Sequence, residues 1–233
     1  MPDAEPRPDS AAAPPDPALV RAVLDRHAPL RPAPLCPELQ VFYASSLVEV
    51  WEAAERAAGA VLPAPFWAYP WAAGAALARV LLDQPERVLG RRVLDLGAGG
   101  GIASIAAAHA GAAQVVANDI DAWALATVAR AAQANGVTVE TLLADITVEP
   151  GRVAAFDVVL CGDLAYEQRE APRQQALLRR AAGRGALVLA ADAGRTYFSP
   201  EGMTLVATFH LQVPRDLEGV EERTARVFEL DRT

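Results

Sequence analysis

The sequence predicts an α/β fold: a seven-stranded, mostly parallel, doubly wound sheet whose last two strands form an antiparallel hairpin. Three observations predict it. From residue 91 short apolar runs alternate with helical segments, and the runs are apolar on both faces rather than on one. The last two runs follow one another with no helix between them, which calls for a hairpin at one edge. The remaining residues, ahead of 91, carry helical and aromatic segments but no such alternation.

In chain order, RRVLDLG (91–97) reads as a short buried strand and Ile102–Ala110 as a helix. QVVAND (114–119) is the second strand of the alternating part, followed by a helix from Asp121 to about Asn135 that Gly136 stops. VETLLAD (139–145) and FDVVLCGD (156–163) are the third and fourth strands. A helix over 170–182 buries Leu177 and Leu178, and GALVLAAD (185–192) is the fifth strand. MTLVATFHLQV (203–213) and RTARVFEL (223–230) alternate apolar and polar and close the sheet across the acidic loop PRDLEGVEE. Ahead of them, residues 1–17 hold six prolines and almost no large apolar side chain, a leader expected to be disordered. Residues 18–90 are expected to form an extension that packs on the alternating part at 91–233. Its first helix runs from Ala18 to about His27 and is broken by RPAPLCP. A second spans 45–58 with Leu47, Val48, Val50 and Trp51 as apolar positions; LPAPFWAYPW (62–71) is extended, and Ala72–Leu82 is a further helix.

Composition removes several chemistries. A chain of 233 residues that is 52% hydrophobic forms a core, so wholesale disorder is excluded. The net charge of −8 argues against partners held by phosphate neutralisation, so no nucleic acid is expected. All 21 basic residues are arginine. Without a lysine neither a Walker A loop nor a pyridoxal phosphate Schiff base can be built. Cys36 and Cys161 have no CxxC or paired histidine, so no metal site is expected and a reducing compartment fits. No signal-like segment opens the sequence, and the uncharged stretches 57–78 and 96–118 are broken by prolines or crowded with glycine and alanine. The expectation is a cytoplasmic monomer without a membrane span. His27, His109 and His210 lack partner spacing and read as surface or packing residues.

VLDLGAGGG (93–101) carries the chemistry: a strand runs into Gly97, Gly99 and Gly101 and then into a helix. The spacing is GxGxG. The dinucleotide fingerprint GxGxxG fails because position 102 is Ile, so the loop suits a ligand approached closely by backbone but without a phosphate at the helix start. A tight strand–helix turn with no ligand is the plain alternative. Asp119 ends the second strand, 20 residues after Gly99, where a carboxylate can accept both hydroxyls of a ribose. Asp145 ends the third, where an acid can meet the edge of an adenine ring. For Asp121 a helix N-cap is the simpler reading.

The glycine loop, the two acids and the closing hairpin make residues 91–230 resemble a class I S-adenosylmethionine-dependent methyltransferase, with a Rossmann-like sheet. The resemblance implies that Gly97, Gly99 and Gly101 line the methionine and ribose part of the cofactor and that Asp119 holds the ribose. It implies that Asp145 and Ile146 flank the adenine, and that Asp95 supports the loop or reaches the cofactor's amino group. A narrower resemblance starts near residue 19. GDLAY (162–166), PFWAYPWAAGAALARVLLD (65–83), NDID (118–121) and DAGR (192–195) are similar to the family 16 protein lysine methyltransferases, and within them to the branch that modifies the electron transfer flavoprotein β subunit. It implies that Trp71 and Gly162 border the cofactor, that Asp163 and Tyr166 are catalytic and face the substrate lysine, and that the partner is that protein substrate. Phe66 and Trp67 would be partly structural. Ala193 stands where that branch tends to carry proline, which bears on the rigidity of its loop. A small-molecule amine or nucleobase methyltransferase, or a non-catalytic cofactor-binding scaffold, stay open as other readings.

Overall fold

A computed structural model describes residues 14–163 and 168–231. The first helix, α1 (Pro17–His27), is capped by Asp16, whose carboxylate accepts the Ala18 N–H. It is followed by a hairpin that the sequence reading treats only as a break: β1 (Leu30–Ala33) pairs antiparallel with β2 (Cys36–Phe42). The prolines there are tolerable because a two-stranded ribbon leaves the outward edge of each strand free of ladder bonds. Helix α2 (Leu47–Ala58) starts on Ser46 and stops on the left-handed Gly59. Its predicted apolar face needs correction. Of the four positions named only Val50 is fully buried; Ala53 and Ala54 complete the face, while Val48 and Trp51 point outward. The aromatic stretch is extended except for one 3-10 turn over Phe66–Ala68, and α3 (Ala72–Asp83) follows it.

The alternating part contains β3 (Arg92–Leu96), α4 (Ile102–His109), β4 (Gln114–Asp119), α5 (Ala122–Ala134), β5 (Glu140–Leu143) and β6 (Val158–Gly162). It continues through α6 (Ala171–Ala182), β7 (Leu187–Asp192), β8 (Met203–Gln212), the short α7 (Arg215–Glu218) and β9 (Glu222–Leu230). The seven strands lie in the order β5-β4-β3-β6-β7-β9-β8. All neighbours are parallel except β7–β9 and β8–β9. The chain leaves β3 on one side and returns at β6 on the other, so the order reverses beside the glycine loop. Open α/β sheets bind ligands at such a reversal.

The strands separate two apolar layers, as period-2 alternation requires. Val93, Val158, Leu160, Leu187 and Leu189 face α3 and α4, while Leu94, Leu96, Val159, Cys161 and Val188 face α6. Burying each such side chain stabilises the fold by about 1.5–3 kcal/mol. Helix α3 is contributed by the segment ahead of the alternating part, and it packs on α4, β7 and β9. Strand β5 is shorter than expected, Glu140–Leu143 rather than 139–145, and at its end Asn118 donates its side-chain amide to the Leu142 and Ala144 carbonyls at 2.9 and 2.8 Å. No helix among the described residues is long and apolar enough to cross a membrane.

The Asn135 side chain ties the N-terminal hairpin to the end of α5. Asn135 accepts the Gln40 N–H at 2.8 Å and donates to the Gln40 and Ala131 carbonyls at 2.7 Å each. Asn135→Ala strands these partly buried backbone groups and is expected to lower the unfolding free energy by about 2 kcal/mol. Urea titration should show the midpoint fall with an unchanged slope.

Candidate functional site

Local chemistry sets the loop. Strand β3 ends at Leu96, and Gly97, Gly99 and Gly101 all take positive φ (65°, 52° and 82°), which a side chain resists. Two further constraints act on this turn. A Cβ on Gly100 would meet the Trp67 carbonyl oxygen at 2.6 Å, and one on Gly101 would meet Val128 at 2.9 Å. The aromatic segment therefore rests directly on the glycine loop. Trp67 is buried there and stacks on Trp123 of α5, with centroids 5.9 Å apart.

Asp119, at the end of β4, holds the loop. Its Oδ2 accepts the Gly99 N–H at 2.9 Å and its Oδ1 accepts the Asp121 N–H at 3.0 Å. Burial pushes its carboxyl above the ordinary range, opposed by these backbone bonds. Asp121 is the N-cap of α5, accepting the Trp123 N–H, and burial pushes it up to about 6. Asp95 lies beneath the loop within β3, where Ser104 Oγ donates to its Oδ2 at 2.6 Å. Burial pushes it up to about 6.

A narrow cleft opens at this rim. The residues around it include Val41 and Phe42 of β2, Tyr69 and Trp71, Gly74 of α3, Gly97–Gly100, Gly162 and Asp163. Gly162 sits against the backbone of Gly74, where a Cβ would be 3.4 Å from its Cα. Asp163 has a φ of 61°, and it is the one charged side chain lining the cleft among the described residues. Its carboxylate is clasped by Arg195, with Nε at 2.6 Å from Oδ1 and Nη2 at 2.5 Å from Oδ2. Burial pushes the Asp163 carboxyl upward, and the guanidinium opposes it. Arg195 also stacks over Trp71, 5.4 Å from the ring centre, and the Trp71 indole N–H donates to the Phe66 carbonyl at 2.8 Å.

The fold thus gathers Trp71, Gly97, Gly99, Gly162 and Asp163 around one cleft, with Asp119 bound to it through Gly99 and Asp95 below. Gly101 heads α4 behind the loop. Asp145 stands past the end of β5, where its Oδ1 accepts from the Thr147 N–H and hydroxyl. Ile146 is wholly buried in the cluster with Leu94 and Val159. Tyr166 lies outside the described residues. Val41, Phe42, Tyr69 and Arg195 escape the sequence reading. The first two belong to the unforeseen hairpin, and Arg195 stands in the quoted DAGR without a role. Its loop is held even with Ala193, since Asp192 accepts the Gly194 and Arg195 N–H groups at 2.7 and 3.1 Å.

Raised carboxyls have a consequence for stability. Asp95 and Asp121, both near 6 when folded, keep protons that an unfolded chain releases nearer 4. Stability from these groups is present at lower pH and is lost as pH rises through about 6. Asp95→Asn should flatten the pH dependence of the denaturation midpoint between about pH 4 and pH 7.

The methyltransferase domain family matches residues 93–186. The electron transfer flavoprotein beta subunit lysine methyltransferase of Xenopus laevis is 34% identical over 183 residues, covering 77% of this chain and 72% of its own length. The Rattus norvegicus protein of the same description is 35% identical over 166 residues, 71% of this chain, which spans 64% of the rat protein. A solved structure described as "Conversion of a Disulfide Bond into a Thioacetal Group during Echinomycin Biosynthesis" shares the fold, with a TM-score of 0.51 at 20% identity over 72% of this chain and 87% of that one. With the cradle, the sheet order and an alignment that runs through most of both proteins in agreement, the chain belongs to the electron transfer flavoprotein β subunit lysine methyltransferase family.

Proposed function

We propose that the protein is an S-adenosylmethionine-dependent lysine N-methyltransferase acting in the cytoplasm, as a monomer, on the electron transfer flavoprotein β subunit. The observation that carries this reading is the cradle itself: a glycine loop locked by Asp119, opening on a cleft whose described lining includes glycine backbone, aromatic rings and one carboxylate, Asp163, already paired with Arg195. A nucleoside bearing a positive charge and no phosphate suits that lining; a pyrophosphate does not. Both Asp119 oxygens accept one backbone N–H each and keep lone pairs for ribose hydroxyls. Gly97, Gly99 and Gly101 let the backbone approach the ligand, Asp95 supports them from below, and Asp145 and Ile146 border the adenine end. Trp71 and Gly162 close the methionine end.

When bound, S-adenosylmethionine supplies an electrophilic methyl on sulfur. The protein's task is then to present a neutral amine in line with it. A lysine amine with a pKa of about 10.4 is neutral in only about one molecule in a thousand near pH 7.4. Asp163 accepts the amine N–H bonds at the cleft and orients its lone pair. Tyr166, outside the described residues, is assigned to the same substrate lysine as Asp163 on the family resemblance alone. The acidic protein, at a net charge of −8, is complementary to a lysine-bearing target.

Two substitutions separate binding from chemistry. Asp119→Ala is expected to weaken calorimetric binding of S-adenosylhomocysteine by about tenfold or more, the loss of charge-assisted bonds. Asp163→Asn should leave that binding within a few-fold and lower methyl transfer to the β subunit by roughly 10²-fold. Label found in RNA or small metabolites, with none in the β subunit, would overturn the substrate assignment.

A further inference from the structure

Asp163 reaches the cleft already paired. Arg195 donates one hydrogen bond to each of its oxygens, at 2.6 and 2.5 Å, and lies over Trp71. The guanidinium is fixed from its own side as well, because Asp192 caps the loop that carries it. Two further groups stand behind the pair. Glu218, buried at the end of α7, accepts the Ala72 N–H at 3.3 Å and is bound by Arg223 of β9, whose Nη1 donates to the Ala193 carbonyl at 3.4 Å. Among the described residues, the charges that bear on Asp163 and Arg195 are therefore Asp192, Glu218 and Arg223. Without Arg195, three carboxylates among the described residues, Asp163, Asp192 and Glu218, would face the one guanidinium of Arg223.

This arrangement settles a conflict in the chemistry. A bare carboxylate binds a lysine well but binds it as ammonium, the form that cannot attack. A carboxylate whose charge is cancelled by a fixed guanidinium still offers its remaining lone pairs to the amine N–H groups. It no longer rewards the extra proton. We propose that Arg195 is a positioning residue that cancels the charge of Asp163 and thereby shifts the substrate amine toward its neutral, attacking form. The inference rests on Asp163 being the amine site, as read above. The ammonium gives one proton to solvent; the nitrogen lone pair forms the N–C bond as the C–S bond breaks, and that electron pair returns to sulfur. The products are a methylammonium and a neutral thioether.

The test uses the full chain, the recombinant β subunit, and Arg195→Gln and Arg195→Met variants. At saturating substrate, kcat followed from about pH 6.5 to about pH 10.5 reports the ionisation of the bound amine. A unit charge lost at about 6 Å in a partly desolvated site moves that midpoint upward by about one pH unit or more. Activity near neutral pH should fall roughly tenfold and recover at high pH, while KM stays level or drops. A second readout needs no turnover. Calorimetry in buffers of differing ionisation heat should show wild-type protein, loaded with S-adenosylhomocysteine, releasing protons when it binds the β subunit near pH 9, and both variants releasing fewer. An unmoved midpoint, a loss equal at every pH, or no proton release by the wild type overturns the proposal. If wild type methylates the β subunit and the variant midpoints do not move, only the role of Arg195 falls. If wild type leaves the β subunit unmodified, the functional reading falls with it.

Discussion

The carboxylate of Asp119 joins three elements that would otherwise meet only by packing. It ends β4, accepts a backbone N–H from the glycine loop after β3, and accepts another at the entry to α5. The loop cannot be held this way by an ordinary sequence, because its backbone turns through the left-handed region at Gly97, Gly99 and Gly101. Trp67 presses its carbonyl against Gly100 from the other side, so the loop is clamped between a strand-end acid and an aromatic segment far away in sequence. A cradle fixed before any ligand arrives needs little ordering at the moment of binding.

A second polar tier lies at the ends of β6 and β7. Asp163, Arg195, Asp192, Glu218 and Arg223 form a chain of ion pairs and hydrogen bonds running from the cleft to the closing hairpin. Buried ion pairs contribute little net stability once desolvation is counted, so their presence here argues for placement of groups rather than for holding the fold together. The left-handed backbone of Asp163 says the same: strain at a non-glycine residue persists where the surroundings over-determine it. Trp71 lines the same cleft as the glycine loop and is covered by Arg195 of the second tier.

Much of this was legible residue by residue. Uniformly apolar runs such as VVLCG mark strands buried on both faces, and β3, β4, β6, β7, β8 and β9 fall within a few residues of their sequence bounds. The site signals with local causes were legible too: a glycine run after a strand, an acid at a strand end, Asp121 as a cap. The β1–β2 hairpin was not, since prolines that read as breakers are harmless on a two-stranded ribbon, and the place of Val41 and Phe42 at the cleft depends on that hairpin. Nor could the burial of α2 be read, because Val48 and Trp51 are as apolar as Val50 and only the packing partner selects among them.

The sequence by itself determined the alternation of strands and helices, the phosphate-free glycine turn and the strand-end acids, because each depends on side chains within one turn or one strand. Tertiary structure alone decided that α3 covers the sheet, that Trp67 seals the loop and that Arg195 clasps Asp163 across 32 residues of chain. Those contacts depend on where separate segments come to rest. No periodicity along the chain encodes the meeting of a loop after β7 with a carboxylate after β6, since it follows from the order in which the strands lie side by side.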